Sequence, residues 1–269
     1  MWLEFFFVGV GLIFWENFLP LHSLVFTMSV SLLTELYKIC AKSGGEGQIK
    51  EFVRSSLSDL SLEIVEDEMG NLFITKGVAD TYACVTAHLD EVHLPCERTI
   101  VVDADKVYAV DENNNQVGCG ADDKNGIWVA INLLHECPVL KVALFVEEEK
   151  VGEIAGCRGS RACDLSFFDN VRYVLACDRK ADNEVVYIGK DNTQLCEKDF
   201  IPEKILSEFN YKMVEGGKTD VVELKMRGLQ IPVCNISCGY YNAHTSEEYT
   251  IFSQLKQCLR FVKTIIERM

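Results

Sequence analysis

The fold is decided by the stretch VLKVALFV at residues 139–146, which Glu147, Glu148 and Glu149 follow directly. All but one of its eight residues are apolar, a composition typical of a strand buried on both faces of a parallel sheet. Charge runs are usually solvated surface segments. Three glutamates that directly follow a buried strand therefore need another explanation.

The segments on either side alternate between helical and strand patterns. Apolar residues at helical spacing predict helices over 31–41, 49–60, 122–134 and 196–212, and a terminal helix that is capped by Ser246 and ends at Arg268. Short apolar runs predict strands at 83–86, 173–176, 185–188 and 231–237, with hairpins at 62–75 and 99–110. This alternation predicts an α/β fold in which a mixed, mostly parallel sheet is sandwiched between helices. No linker or repeat interrupts residues 28–269, so we expect one domain there.

Composition limits the classes of partner. The 269 residues are 48% hydrophobic and 25% charged, which permits a sizeable core and excludes a disordered chain. The net charge of −15 disfavours phosphate backbones and anionic lipid surfaces. We therefore expect no nucleic-acid partner and no stable membrane association. The twelve cysteines include no C-x-x-C pair, which predicts buried free thiols and a reducing, cytoplasmic location.

Residues 1–27 differ from the rest of the chain. The unbroken apolar run Phe5–Trp15 has eleven residues, whereas a membrane-spanning helix needs roughly 20. Glu4 is the only early charge, which does not fit the positive start of a secretory signal. The favoured interpretation is an apolar extension, either a packed appendage or a mis-assigned start. A membrane anchor through residues 5–26 is the alternative.

Candidate metal ligands lie where the predicted strands and one predicted helix meet loops. Five segments share this placement: His88-Leu89-Asp90, Gly118–Gly126, Glu147–Glu149, Cys177-Asp178 and Asn242–Thr245. In open α/β sheets, ligands bind beyond the carboxyl ends of the strands, so these groups are expected at one edge. Two histidines and several carboxylates suit a pair of cations such as Zn²⁺.

Each segment by itself has an ordinary structural explanation. The H-x-D sequence fits a surface loop, the glutamates fit a solvated charge run, and Asp122-Asp123 fits a helix start, where the helix dipole favours acids. The metal interpretation is favoured because all five segments occur in order along the predicted sheet. Gly217-Lys218-Thr219 also resembles the end of a phosphate-binding loop, but Lys212 stands where that motif requires glycine.

Other charged residues near these segments are assigned to the surface. Arg179 and Lys180 flank Asp178 and either form a solvated pair, which is the favoured interpretation, or contact a substrate carboxylate. Three histidines lack a partner at ligand spacing, namely His22, His93 and His135. None of the three is assigned to the metal site.

Taken together, the motifs resemble those of the two-zinc exopeptidase clan, which includes glutamate carboxypeptidase, peptidase T and the single-domain zinc aminopeptidases. The shared pattern is H-x-D, G-A-D-D-x-x-G, E-E before a glycine turn, a strand-terminal Asp and N-A-H-T, and it covers about Met28–Met269. The segment Asn242–Tyr249 is especially similar. The resemblance implies a zinc exopeptidase-like fold, a hydrolase with two divalent metal ions, and a peptide or small amide substrate.

The resemblance assigns a role to each matching residue. His88 and Asp178 would bind one metal, Glu149 and His244 the other, and Asp122 both; Asp90 would orient His88. Glu148 would be the general base that activates the attacking water. Thr219 and Asp220, in a turn similar to G-T-D, and Tyr241 would line the substrate cleft. The Asp122–Asp123 peptide would be cis.

The three glutamates allow two registers. Related sequences have an acid or amide before the E-E pair, which makes Glu147 the leading residue, Glu148 the base and Glu149 the ligand. If the segment were a strand, a slip by one residue would exchange the groups that face the site, because neighbouring side chains point to opposite faces. The turn through Gly152 is longer than usual, which leaves the register open.

The spacing of the motifs indicates a layout without a lid domain. Asp178 and His244 are 66 positions apart, too few for the lid of the dimeric carboxypeptidases, and the 34 positions from His88 to Asp122 leave room for one hairpin. The nearest layout is that of the single-domain zinc aminopeptidases. With the acidic composition, this favours an aminopeptidase. A dipeptidase, carboxypeptidase or deacylase of the clan, or a non-catalytic binding relic, are the alternatives, and an oligomer is compatible with all of them.

Overall fold

The computed structural model describes residues 29–269, so the expectations for residues 1–27 lie outside the described part. Its helices are α1 (Val30–Lys38), α2 (Gly47–Ser56), α3 (Ala121–Glu136), α4 (Arg158–Ala162), α5 (Glu203–Phe209), α6 (Asp220–Met226) and α7 (Phe252–Arg268). Its strands are β1 (Leu62–Glu66), β2 (Leu72–Lys76), β3 (Tyr82–His88), β4 (Thr99–Asp103), β5 (Lys106–Val110), β6 (Gln116–Val117), β7 (Leu140–Phe145), β8 (Val171–Arg179), β9 (Glu184–Ile188), β10 (Lys212–Glu215), β11 (Val233–Ser237), β12 (Tyr240–Tyr241) and β13 (Tyr249–Ile251). Among these residues, none of the helices has the length and hydropathy of a membrane span.

An eight-stranded sheet lies at the centre, in the order β1-β2-β7-β3-β8-β11-β9-β10. The three central pairs, β7–β3, β3–β8 and β8–β11, are parallel, as is β9–β10. The pairs β1–β2, β2–β7 and β9–β11 are antiparallel. The predicted mixed, mostly parallel sheet is confirmed.

Both faces of this sheet are covered, as the apolar composition of β7 indicated. Val142 and Leu144 belong to a core that includes residues of α3 and α7, whereas Ala143 and Phe145 belong to a second core that includes residues of α6. Neighbouring side chains of a strand point to opposite faces, so one buried strand contributes to both cores. The sheet is therefore sandwiched between helices, as predicted.

A smaller sheet has the order β12-β13-β5-β4, with β6 paired to β5. It contains the predicted hairpin of β4 and β5, which occupies the chain between His88 and Asp122. Its strands β12 and β13 pair with each other on either side of the loop that carries His244. This sheet thereby fixes the His244 loop relative to the start of α3.

Two predicted helices begin well after the predicted residue in the structure. The segment predicted as helical over 196–212 forms a helix only at α5, which begins after Pro202; Leu195 and Cys196 donate backbone hydrogen bonds to Tyr187 instead. Proline is well tolerated just before a helix and not inside one, which explains the late start. The terminal helix does not begin at Ser246, because Tyr249–Ile251 is taken up as β13 by pairing with β5.

The cysteines agree with the predicted free thiols. All twelve are unpaired, and ten are buried. The two others, Cys40 and Cys96, lie close together, with Sγ of Cys40 3.1 Å from the carbonyl oxygen of Cys96.

Candidate metal centre

The first component of the site lies at the end of β3. His88 is buried, and its Nδ1 lies 3.0 Å from the carbonyl oxygen and 3.4 Å from Oδ1 of Asp90. The Asp90 carboxylate also accepts the backbone N–H groups of Glu148 and Glu149, at 2.9 and 3.0 Å. Asp90 therefore orients the histidine ring and fixes the glutamate segment beside it.

The second component is Asp122 in the first turn of α3. Its Oδ1 lies 3.1 Å from Nε2 of His88. Gly120, two residues earlier, has φ of 67°, and a Cβ there would overlap Oε2 of Glu91. Glycine is therefore required for Glu91 to approach the backbone at this position. The Asp122–Asp123 peptide is cis, as the resemblance implied. Asp123 accepts backbone N–H groups from Gly126 and His88 through its two oxygens, and this shapes the loop.

The three glutamates follow β7, which ends at Phe145, so strand alternation does not apply to them. Glu147 has a positive φ and forms an ion pair with Arg158. Glu148 and Glu149 both line the same cleft. Oε1 of Glu148 accepts a hydrogen bond from the thiol of Cys157 at 3.3 Å.

Asp178 and His244 complete the group. Oδ1 of Asp178 lies 3.6 Å from Nε2 of His88. Nε2 of His244 lies 3.3 Å from Oδ2 of Asp122 and 2.6 Å from Oε1 of Glu149. The structure thus brings together all five predicted ligands, and we refer to them as the candidate metal centre.

The two histidines have raised pKa values because carboxylates surround them. Burial alone would lower the pKa of His88, but hydrogen bonds with Asp122, Asp178 and Asp90 raise it well above its usual value. Contacts with Asp122 and Glu149 raise the pKa of His244 to about 10. A metal ion at these nitrogens would therefore compete with protons.

The carboxylates are perturbed in both directions. Burial raises the pKa of Glu148 well above its usual value, and the negative charges of Asp178, Asp220 and Glu149 add to this effect. Burial is also the main reason why the pKa of Asp178 is raised to about 6. For Asp122, burial acts in the same direction, but the contacts with His244 and His88 outweigh it and lower the pKa. Such an excess of buried and half-buried carboxylates is stabilised by cations.

The arrangement of donor atoms fits a divalent cation. Ligand atoms of His88, Asp122 and Glu149 lie within 4.8 Å of one another, as do those of His88, Asp123 and Asp178. Asp123 is the less suitable ligand, because both its oxygens accept backbone N–H groups. Oε1 of Glu149 is buried and accepts no hydrogen bond, despite its short distance to His244. Imidazole nitrogens and carboxylate oxygens are the ligands expected for Zn²⁺.

The cleft above these residues has a volume of about 590 Å³. Thr219 lines it, but its hydroxyl also donates to Oδ2 of Asp178 at 2.6 Å, so it supports a candidate ligand. Asp220 was also predicted to line the cleft, but it is buried next to Thr219 and is not among the lining residues. Ser160 donates a hydrogen bond to it, and burial raises its pKa to about 7. Tyr241 was predicted to line the cleft, but Tyr240 lines it instead.

The correction for Tyr241 follows from strand geometry. Neighbouring residues of β12 point to opposite faces, so only one of the two tyrosines faces the cleft. Tyr240 is buried and its hydroxyl lies 3.4 Å from the carbonyl oxygen of Asp178. Tyr241 stacks on Tyr249 and donates a hydrogen bond to Gln254 at 2.8 Å.

Sequence reasoning missed two supporting residues. Asn235 accepts the backbone N–H of Asp178 at 3.0 Å and donates to its carbonyl oxygen at 2.9 Å, and nothing in the sequence marks this contact. The buried carboxylate of Glu248 accepts the backbone N–H groups of Cys119, Gly120 and Asp122. Glu248 lies in the segment that resembles the exopeptidases, which was a usable signal. His93, which lacked a partner in the sequence, lies 3.1 Å from Glu248.

Comparisons with known proteins give matches among solved structures. No protein-family model and no curated protein sequence matches the chain. The aminopeptidase PepT from Bacillus cereus superposes with a TM-score of 0.74 at 16% identity, over 88% of this chain and 97% of that chain. A tripeptidase from Staphylococcus aureus superposes with a TM-score of 0.71 at 16% identity, over 88% of this chain and 96% of that chain. The TET1 peptidase from Pyrococcus horikoshii superposes with a TM-score of 0.65 at 14% identity, over 90% of this chain and 100% of that chain. That peptidase can assemble into a tetrahedron or a large octahedral shell. These matches confirm the predicted fold, which this chain shares with solved aminopeptidase and tripeptidase structures.

Proposed function

We propose that this protein is a metal-dependent aminopeptidase that uses two divalent metal ions, with Zn²⁺ as the expected metal. The observation that carries the proposal is the convergence of the five residues of the candidate metal centre beside Glu148. Four of them line one cleft together with Glu148, and the fifth, His88, is buried in contact with Asp122 and Asp178. A structural cluster would be balanced by the protein's own cations, whereas here the carboxylates outnumber the histidines. A binding relic would be expected to have lost some of these groups.

The side chains have separable tasks. Divalent ions held by the candidate metal centre would supply positive charge that polarises the scissile carbonyl and lowers the pKa of a water molecule. Glu148 accepts the proton of the attacking water and returns it to the leaving amine, a role that suits a carboxyl group with a raised pKa. Cys157 holds one oxygen of Glu148, and the second has no protein partner within residues 29–269.

The preference for an amino terminus rests on the layout and on charge. The fold is shared with proteins described as aminopeptidases and a tripeptidase, and the described chain contains no lid domain. The acidic composition favours substrates that present a free amine. A carboxypeptidase, dipeptidase or deacylase with the same centre would differ in which terminus of the substrate must be free.

Metal analysis combined with a substrate panel tests the proposal. After saturation with Zn²⁺ and desalting, the protein should retain two equivalents and hydrolyse aminoacyl-anilides, and a chelator should abolish the hydrolysis. N-blocked peptides should not be cleaved. Retention of less than one equivalent would contradict the metal site, and cleavage of N-blocked peptides alone would identify one of the other hydrolases. Metal binding without hydrolysis of any panel member would indicate a binding relic.

A ligand variant adds a control for specificity. His244→Ala should lower the retained zinc by about one equivalent, because its Nε2 approaches both Asp122 and Glu149. His135→Gln is the matched control, since that imidazole lies near the end of α3 and contacts the carbonyl oxygen of Ser56. Equal zinc content in the two variants would remove His244 from the ligand set.

A further inference from the structure

Basic side chains stand beside the candidate metal centre, against the acidic trend of the chain. Lys180 lies two residues after Asp178, just beyond the end of β8, and Lys218 directly precedes Thr219. Both lysines line the cleft. Because Thr219 and Asp178 are hydrogen-bonded to each other, the two lysines flank a single pair of contacting residues. They therefore belong to one wall of the cleft.

The backbone at Lys180 is held firmly. Its carbonyl oxygen accepts a hydrogen bond from the hydroxyl of Ser237 at 2.7 Å. The next residue, Ala181, donates its backbone N–H to the carbonyl oxygen of Tyr240 at 2.9 Å. Tyr240 itself lines the cleft, so the base of the Lys180 side chain is fixed relative to the site.

The charges on this wall are balanced to different degrees. Arg179 is paired with Glu184 at 2.8 Å. The ammonium of Lys218 lies 3.9 Å from Glu223, whose carboxylate already accepts a hydrogen bond from Arg161 at 3.0 Å. Lys180 is exposed and has no ion pair or side-chain hydrogen bond within residues 29–269. On this wall Lys180 is therefore the cation most available to a ligand, and Lys218 is the second. Lys150 also lines the cleft, beside Glu149, and is likewise exposed without an ion pair within residues 29–269.

We propose that Lys180 and Lys218 bind the C-terminal carboxylate of the substrate, so that the cleft accepts short peptides with both termini free. This inference rests on the proposed aminopeptidase function and narrows its substrate class. A volume of about 590 Å³ lies within the range of small-ligand sites. The cations stand beside the reacting centre in that same cleft, so a short peptide can reach both. Lysine ammonium groups bind carboxylates through charge-assisted hydrogen bonds.

Three peptides with the same amino terminus test this subsite. They are Leu-Gly-Gly, its C-terminal amide Leu-Gly-Gly-NH₂, and Leu-Glu-NH₂, which carries its carboxylate on a side chain. For the zinc-loaded protein, kcat/KM should be about 5- to 10-fold higher for the free acid than for its amide, through KM. The preference should weaken at high salt, because solvent-exposed charges are screened.

Variants then assign the preference to the two lysines. The double variant Lys180→Ala/Lys218→Ala should bring the ratio of acid to amide close to one, whereas Lys180→Arg should retain most of it. Lys204→Ala is the matched control, because that exposed lysine lies on α5 outside the cleft. Thermal unfolding of each variant verifies that it is folded.

The outcomes separate this inference from the proposed function. If neither acid nor amide is hydrolysed by the metal-loaded protein, the proposed function fails. Equal hydrolysis of Leu-Gly-Gly and its amide by the unmodified protein overturns the carboxylate subsite alone. A preference for the acid over the amide that persists in the folded double variant also overturns it. So does a kcat/KM above that of Leu-Gly-Gly-NH₂ for Leu-Glu-NH₂ alone.

Discussion

Two charge clusters lie side by side in this molecule and differ both in burial and in how their charges are balanced. In the first, the Glu91 cluster, the carboxylate of Glu91 is bonded to both Arg98 and Lys124, and all three side chains are buried. In the second, the candidate metal centre and Glu148, four carboxylates meet two histidines. The clusters are adjacent in sequence as well, since Asp90 precedes Glu91 and Asp122 lies two residues before Lys124.

The difference shows which of the two clusters has its negative charge balanced by cationic side chains of the chain itself. Burial alone would raise the pKa of Glu91, but Lys124 and Arg98 outweigh it and lower the pKa. Glu148 is partly buried and has no lysine or arginine partner within residues 29–269, and burial raises its pKa. A buried charge is tolerated when it is paired within the protein. The Glu91 cluster is therefore balanced within the chain, whereas the carboxylates of the candidate metal centre outnumber its histidines, and the proposed function assigns the remaining balance to metal ions.

The largest effect is expected from Glu148→Gln. If Glu148 is the general base, this change should reduce kcat by roughly 10²–10⁴-fold while both zinc equivalents are retained. Steady-state kinetics and metal analysis of the same sample measure this. The matched control is Glu147→Gln, which should stay within a few fold of the unmodified protein, because Glu147 pairs with Arg158. An inactive Glu147→Gln beside an active Glu148→Gln would shift the assignment by one residue.

The second-largest effect is expected from a substitution in the Glu91 cluster. Arg98→Met removes a partner of Glu91 and three hydrogen bonds to the carbonyl oxygens of Tyr37, Ile39 and Gly118. We expect the free energy of unfolding to fall by about 3–5 kcal/mol, the usual result of breaking a buried pair, with two zinc equivalents retained. Urea unfolding of the zinc-loaded protein measures this change in the free energy of unfolding.

Arg54→Met is the control for this comparison, because its partner Glu66 is partly exposed. Exposed ion pairs contribute about 0–1 kcal/mol, so this variant should unfold almost as the unmodified protein does. Loss of zinc from a folded Arg98→Met protein would show that the two clusters are not separable.

The smallest effect is expected at Thr219, which supports one residue of the candidate metal centre. Thr219→Val removes the hydroxyl that donates to Oδ2 of Asp178, and should weaken zinc affinity by roughly 10–100-fold, the usual effect of removing a residue that orients a ligand. Competition with a chromogenic chelator measures the affinity. Thr219→Ser keeps the hydroxyl and should bind zinc nearly as the unmodified protein does. Weakened affinity in Thr219→Ser beside full affinity in Thr219→Val would point to packing of the methyl group instead.

Much of the sheet and of the centre was predictable because both depend on short-range patterns. The run at 139–146 indicated a strand covered on both faces, and β7 contributes to both cores. The ends of parallel strands meet at one edge, so residues at or just beyond the ends of β3, β7 and β8 were expected to converge. The terminal helix was misplaced because the pairing of Tyr249–Ile251 with β5 joins segments far apart in the chain.

The sequence by itself determined which groups are placed at that edge: the H-x-D segment, Asp122, the glutamates, Asp178 and His244. Only the tertiary structure decided how each group is held. The loop after Phe145 turns Glu148 and Glu149 to the same cleft, β12 presents Tyr240 in place of Tyr241, and Asn235 fixes Asp178. The spacing of residues along the chain determines which side chains lie at the end of each strand. Orientation and support come from contacts between distant segments, which no local pattern records.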